Sequence, residues 1–385
     1  MAVARQGNLV QSKIQMLVYG EPFTGKSTLA SQFAYMKRPD EKPFRVLFLD
    51  AESGGLDDLM EDIQDNGIDL RNLYIVYTQS LAEVREYIKK AKEKEDFYIL
   101  DEDGNETDDI VLDADGHPFR PDAIVIDGSS VLNLTTKHGL VELSKRRAKV
   151  KADKAGLLGD EKFVQIENSF LELRDYQVIN FKGQDLVLDL TGCGLHYIVT
   201  ARETDEKVTQ NINGKDVTVT TGRKIPEGFK QMDYNVKTVL RLYRDQDDYE
   251  TVKAYVLKDR TKVHKPGEII EDPSLIDWQA VINKTANRSD FVINNNLSKA
   301  INKEYEMAKK EVMGKEDESK NDEQNSINDA QELIKQIDEK LNSLSPVNKS
   351  QAKKKVTSEG LPTNYKKLTD IDKLKEILKV ISEVW

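Results

Sequence analysis

Apolar residues gather in short runs separated by amphipathic stretches. Residues 14–19 (IQMLVY) form a short apolar run stopped by Gly20, which predicts a buried strand and a turn. Residues 28–36 (TLASQFAYM) carry a helical pattern, and RVLFLD at 45–50 predicts a second strand with Asp50 at its end. Helices are predicted over 56–65 and 80–94, with NLYIVY at 72–77 as the strand between them. AIVIDG at 123–128 is another buried strand that ends in an aspartate, Asp127. Residues 137–175 are highly charged and mainly helical in pattern, and LHYIVTAR (195–202), VKTVLRLYR (236–244) and TVKAYVLKDR (251–260) supply further strands. Strands alternating with helices predict an α/β fold, a mainly parallel sheet flanked by helices.

Two segments depart from this alternation. Between about 95 and 121, YILDEDGNE and IVLDADGHP repeat an apolar-Leu-Asp-acidic-Asp-Gly pattern, and each Asp-Gly suits a tight turn, so a surface β-hairpin insertion is expected. The acids do not follow calcium-loop order, and the glutamate that closes a calcium loop is missing. Residues 207–221 alternate around Asn213-Gly214, the signal of a second hairpin. The core is expected to span 1–280, with an edge near Trp278. A helical segment and polar linker follow over 281–328, low in complexity from 314 to 328. Over 329–385 a helical apolar period restarts at Leu333, Ile334, Ile337, Leu341 and Leu344 and returns at Leu374, Ile377, Leu378 and Ile381, which predicts a small helical C-terminal module.

Composition narrows the functional classes. No apolar run among the 385 residues approaches a membrane span, so no membrane partner is expected. Cys193 is the single cysteine and there are four histidines, which excludes an internal disulfide framework and a Cys/His zinc site. The reducing cytoplasm is the expected compartment. The net charge of −11 argues against a uniformly basic nucleic-acid binder, yet it is local: residues 92–122 hold twelve acids and three bases. Lys145 to Lys154 holds six bases and one acid, so a local basic site stays open.

Gly20-Glu21-Pro22-Phe23-Thr24-Gly25-Lys26-Ser27, followed by Thr28, matches G-x-x-x-x-G-K-[ST] in full, between a predicted strand and a predicted helix. The glycines let backbone amides wrap a phosphate, Lys26 is placed for the β- and γ-phosphates, and Ser27 for magnesium. The implied ligands are ATP and Mg2+. Asp127, at the end of an apolar strand, suits the second magnesium-associated position. Hydrolysis also needs a group that orients or deprotonates water. Glu52 and Asp50 both follow the 45–50 strand into the same sheet edge, and spacing alone does not separate them.

GEPFTGKS, LFLDAESGG, IVIDGSSVL, YIVTAR and VLKDR, in this order over roughly residues 12–275, resemble the RecA-type recombinase core, and more closely the phage-encoded RecA-like ATPases of single-strand annealing recombination. The resemblance implies that Glu52 of the D-x-E segment activates water and that Asp127 is associated with magnesium. At the end of the next core strand such proteins often carry a glutamine that senses the γ-phosphate; here that position is Arg202, so the sensing chemistry differs. Lys258 and Arg260 resemble the basic pair that a neighbouring subunit inserts into the ATP site, which implies self-association into a ring or filament. For a phage-encoded protein the compartment is the host-cell cytoplasm.

The resemblance also implies single-stranded DNA as a partner, through the segments after the Asp127 and Arg202 strands. The candidate contacts are Lys145, Arg146, Arg147, Lys149 and Lys151 in the first segment, and Arg223, Lys224 and Lys230 in the second, with Phe229 and Tyr234 as stacking candidates. A solvated helix face is the alternative for 145–154. Lys349, Lys353, Lys354 and Lys355 give the C-terminal module a basic cluster that suits DNA or a replication or recombination protein. The competing functional reading is a helicase loader or protein-remodelling ATPase without direct DNA binding. A small-molecule phosphoryl transferase lacks an Arg-rich lid here, a GTPase its N-K-x-D segment, and an ABC ATPase its LSGGQ-like signature.

Overall fold

The structure is a computed structural model that describes residues 11–288 except 213 and 287, residues 297–313, and residues 333–382 except 342, 343, 345, 363, 366, 367 and 369. Two compact units divide at Asn295 and Asn296.

The first unit is built on one sheet whose strands run in the order β11-β10-β9-β1-β7-β6-β2-β3. In chain order these are β1 (Gln15–Gly20), β2 (Val46–Asp50), β3 (Leu73–Tyr77), β6 (Ala123–Asp127), β7 (His196–Ile212), β9 (Thr238–Asp245), β10 (Asp248–Asp259) and β11 (Ile269–Glu271). The six strands from β3 to β9 in that order pair in parallel, and β10 and β11 close the far edge antiparallel. The mixed α/β class and mainly parallel sheet expected from the sequence are therefore observed.

The period of two along each strand divides the apolar side chains between the two faces. Leu17, Tyr19, Leu47, Leu49, Ile124 and Ile126 pack on one face under α3 (Leu81–Glu93), α4 (Ser129–Lys154) and α6 (Leu173–Cys193). Met16, Val18, Val46, Phe48 and Val125 pack on the other, under α1 (Lys26–Ser31), Phe33, and Trp278 just before α8 (Gln279–Asn283). Each fully buried side chain of this kind contributes about 2 kcal/mol. A short α2 (Met60–Asp65) precedes β3, and α5 (Gly159–Glu167) lies between α4 and α6.

Helix is predicted from the sequence only to residue 175, whereas α6 runs on to Cys193. Gly183 is tolerated inside it because Phe229 packs where a Cβ would sit, within 2.6 Å. The acidic insertion is a separate two-stranded sheet of β4 (Tyr98–Leu100) and β5 (Glu106–Ile110). Its repeated aspartates tie turns: Asp101 Oδ1 accepts from the amides of Asp103 and Asn105, and Asp113 Oδ1 from those of Asp115 and His117. The second hairpin is longer than expected, because β7 continues past Arg202 and pairs with β8 (Lys215–Pro226) from Glu203 to Ile212. Asn213 of its turn lies outside the described residues.

The second unit contains α9 (Leu297–Met313), the described helical residues 333–341 (α10), α11 (Pro346–Ser358) and α12 (Ile371–Ser382). Ile337, Leu341, Val356, Leu374, Ile377 and Ile381 form its own apolar cluster. The predicted linker at 314–328 lies outside the described residues. No helix among the described residues is long and apolar enough to cross a membrane.

Two stability predictions follow from the packing. Gly20 lies against β9 so closely that a Cβ would stand 2.0 Å from the Leu242 carbonyl oxygen. Gly20→Ala must therefore push two parallel strands apart, and a loss of about 3 kcal/mol is expected in urea denaturation. His196 is fully buried, and its Nδ1 accepts the Ile14 amide at 3.2 Å. Burial holds its pKa well below 6.5, with Lys13 and Lys237 acting in the same direction. The unfolded chain therefore binds the proton more readily, so this contribution is complete above pH 6.5 and lost as pH falls below it. The expected loss is about 1.4 kcal/mol per pH unit below that point, and a His196→Asn protein should show a shallower slope between pH 6.5 and 5.

Candidate active site

Parallel pairing brings the carboxyl ends of the central strands to one edge. Register places Gly20 beside Arg202, and Asp50 beside Asp127. The segment between β1 and α1 turns there, with Gly25 at φ 73 and Phe23, also at positive φ, 95% exposed at its apex. Thr24 Oγ1 donates to the Glu21 carbonyl at 2.8 Å. The Lys26 ammonium donates to the carbonyls of Glu21 at 2.7 Å and Gly20 at 3.3 Å. Partial burial lowers the Lys26 pKa, and the carboxylates of Glu52 and Asp127 oppose that shift. The lysine thus sits in a field set by two acids brought from distant parts of the chain.

Asp127 is buried at the end of β6. Burial raises its pKa, while the hydroxyls of Ser27 and Thr200 hold it down. Thr200 Oγ1 donates to Asp127 Oδ1 at 2.5 Å and accepts the Gly128 amide at 2.8 Å. The other oxygen, Oδ2, is buried without a well-formed hydrogen bond among the described residues. A Cβ placed on Gly55 would lie 3.4 Å from both that oxygen and Ser27 Oγ. A carboxylate oxygen with no well-formed hydrogen bond and a hydroxyl beside it form a donor set that suits a hard divalent cation.

The structure separates the roles of Asp50 and Glu52. Asp50 is fully buried, and its two oxygens accept the amides of Glu52 (2.8 Å), Ser53 (2.9 Å) and Gly54 (2.8 Å). Its carboxylate is consumed in shaping the turn, and that turn carries Glu52 out to the site. Glu52 Oε1 accepts from Arg202 Nε at 3.0 Å. Gly128, at φ 90, gives the Glu52 side chain its space, because a Cβ there would lie 2.4 Å from Glu52 Cγ. Thr200 and Gly128 are neighbours of these carboxylates that motif reading does not single out; the Asp-Gly pair at the end of an apolar strand is the available signal for Gly128.

Beside the loop lies a cavity of about 290 Å³, lined by Thr24, Gly25 and Thr28 on one side and Leu242, Arg244 and Pro273 on the other. Arg244 Nη1 is held by the Glu250 carbonyl at 2.8 Å. No sequence signal marks this arginine.

Other predicted residues lie elsewhere. Lys258 pairs opposite Val239, which aligns with Leu17, so Lys258 and Arg260 stand toward the amino end of β1, away from Lys26 in the same chain. Lys258 donates to the carbonyls of Asp233 and Tyr234 in α7 (Met232–Asn235), and Arg260 is exposed. On α4, Lys145 pairs with Glu167 and Arg147 with Asp175, both at 2.8 Å, while Arg146, Lys149 and Lys151 are exposed. On β8, Lys224 pairs with Asp205 at 2.9 Å, and Arg223 lies 3.9 Å from Glu206. Lys230 is exposed. Phe229 is buried against α6 and is not available for stacking, which corrects the expectation from sequence; Tyr234 is 72% exposed.

No family profile matches the chain, and no curated protein matches it. Among solved structures, the chain is similar to a KaiC-like protein from the hyperthermophilic archaeon Pyrococcus horikoshii OT3, at 15% identity and a TM-score of 0.37, over 68% of this chain and 91% of that one.

Proposed function

We propose that the protein is a RecA-like, magnesium-dependent ATPase whose hydrolysis is coupled to binding of single-stranded DNA in recombination or annealing. The observation that carries the ATPase reading is the convergence of Lys26, Ser27, Asp127, Glu52 and Arg202 on one sheet edge. The loop amides and Lys26 hold the β- and γ-phosphates, and the adjoining cavity receives the nucleoside. Ser27 and Asp127 would hold magnesium, which neutralises phosphate charge when bound. Glu52 orients a water and takes its proton as the water oxygen bonds to the γ-phosphorus and the bond to the β,γ-bridging oxygen breaks. Arg202 holds Glu52 in position and adds a cation at the phosphate edge. Lys258 and Arg260 face away from their own loop, so in this reading they serve a neighbouring chain of a ring or filament.

The DNA half is supported by the course of β7: the strand that carries Arg202 runs on into the long hairpin with β8, with one register shift between Asp205 and Lys207. A change at Arg202 thus has a direct route along one strand to that hairpin. A second reading is a protein-directed ATPase, a loader or remodeller. Leu158, Phe163, Phe170 and Leu173 are all exposed in the inserted helical region, as a protein-docking face would be.

The test is phosphate release from ATP and magnesium, with and without single-stranded DNA. Stimulation by DNA at low salt is the expected result. Hydrolysis that DNA leaves unchanged, with no DNA bound, would favour the protein-directed reading.

A further inference from the structure

A second cavity, of about 340 Å³, opens between α4 and the segment joining α5 to α6. Its wall carries Arg147 and Lys151 from α4, Gln165 from α5, and Asn168, Ser169 and Phe170 from the connection. Arg147 and Lys151 are four residues apart and so share one face of the helix. The guanidinium is fixed from behind: Nη2 donates to Asp175 Oδ1 at 2.8 Å, and Asp175 Oδ2 accepts the Glu172 amide at 2.9 Å in the cap of α6. Among the described residues this arrangement leaves Arg147 Nε buried with no acceptor, and Ser169 Oγ buried without a partner as well. Lys151 makes no ion pair among the described residues. The acid in the wall, Glu172, is already engaged by Arg174 at 2.9 Å and by the helix cap. At the mouth, Phe170 is 79% exposed, although its own carbonyl is tied down by Ser144 Oγ at 2.8 Å.

Orphaned buried donors are costly unless something accepts from them. Two cations, a hydroxyl and two side-chain amides around one cavity, with the local carboxylates already engaged, call for an oxyanion. A rigidly based, exposed aromatic ring beside it suits a planar base. We propose that this cavity is a second nucleotide-unit site, separate from the loop at Gly20–Ser27. It takes one phosphate on Arg147, Lys151 and Ser169, and the attached base on Phe170. The favoured source is a nucleotide within a single strand, so the proposal rests on the DNA half of the reading above and is independent of hydrolysis. A free nucleotide carries the same chemistry.

The experiment is equilibrium binding to the full-length protein in a Lys26→Ala background, without ATP, which separates this site from the loop. Fluorescein-labelled dT20 is titrated by anisotropy between 50 and 200 mM NaCl, and dTMP by calorimetry, with Lys151→Ala, Phe170→Ala and the off-cavity control Lys149→Ala. All three side chains are exposed, so the fold should tolerate these changes. For dT20, Phe170→Ala is expected to weaken binding roughly 5- to 100-fold. Lys151→Ala should lower the slope of log K against log salt by about 0.7, and Lys149→Ala should have a smaller effect. If only dTMP binding responds to the two cavity variants, the site stands with a free nucleotide as its source. Binding of both ligands that ignores Lys151 and Phe170, or that falls equally with Lys149→Ala, overturns the proposal. Absence of ATP hydrolysis by the protein with Lys26 intact, with these binding effects present, would overturn the hydrolysis reading alone.

Discussion

Phosphate release from ATP by a Lys26→Ala protein is expected to fall at least about 10³-fold. The side chain is the cation held over the loop between the fields of Glu52 and Asp127, and no other lysine or arginine within the loop replaces it. The fold should survive. Among the described residues Lys26 is bonded only to the carbonyls of Gly20 and Glu21, and its partial burial already disfavours its charge. A change in unfolding free energy within about 1 kcal/mol is therefore expected. The measurement pairs a phosphate-release assay with urea denaturation on the same preparation. Retained hydrolysis in a folded Lys26→Ala protein would remove the ATPase reading.

The second large effect separates two carboxylates only two positions apart. Glu52→Gln is expected to lower kcat by about 10²- to 10⁴-fold while leaving nucleotide affinity nearly unchanged, because the amide can still hold a water but cannot take its proton. Its stability should change little, since the pair with Arg202 is partly exposed, at 33% and 54% of the two side chains. Asp50→Asn should show the reverse. Its carboxylate accepts three backbone amides in a fully buried position, and an asparagine turns an NH2 toward at least one of them. A stability loss of about 2–3 kcal/mol is expected, with activity lost only as far as Glu52 is displaced. Similar kinetic defects in both variants, at unchanged stability, would contradict these assignments.

Both predictions show how unevenly the site is legible in the sequence. The phosphate loop is contiguous, so its glycines, Lys26 and Ser27 declare themselves through local backbone requirements. The parallel sheet is legible for the same reason: short apolar runs flanked by amphipathic helices have few ways to bury both faces. Asp127 is visible because it ends such a run. The choice between Asp50 and Glu52 is different, since both follow the same strand. It depends on which carboxylate the amides of residues 52–54 capture, and that is a matter of turn geometry.

The pairing of Arg202 with Glu52 joins residues 150 positions apart, and it needs β7 to lie between β1 and β6. Phe229 reads in the sequence as a solvent-facing aromatic within a basic segment; it is core because Gly183 of α6 leaves room for its ring. Whether a base is free or engaged is likewise decided across elements. Arg147 is anchored by Asp175, and Lys145 by Glu167, although both belong to one charged run on α4. Hydrophobic period, turn chemistry and the loop motif act over a few residues and specify the strands, most of the helices and the phosphate-binding segment. Strand order, register and helix docking act between segments far apart in the chain. They set which carboxylate is spent on the backbone, which is left at the sheet edge beside Arg202, and which cations are paired.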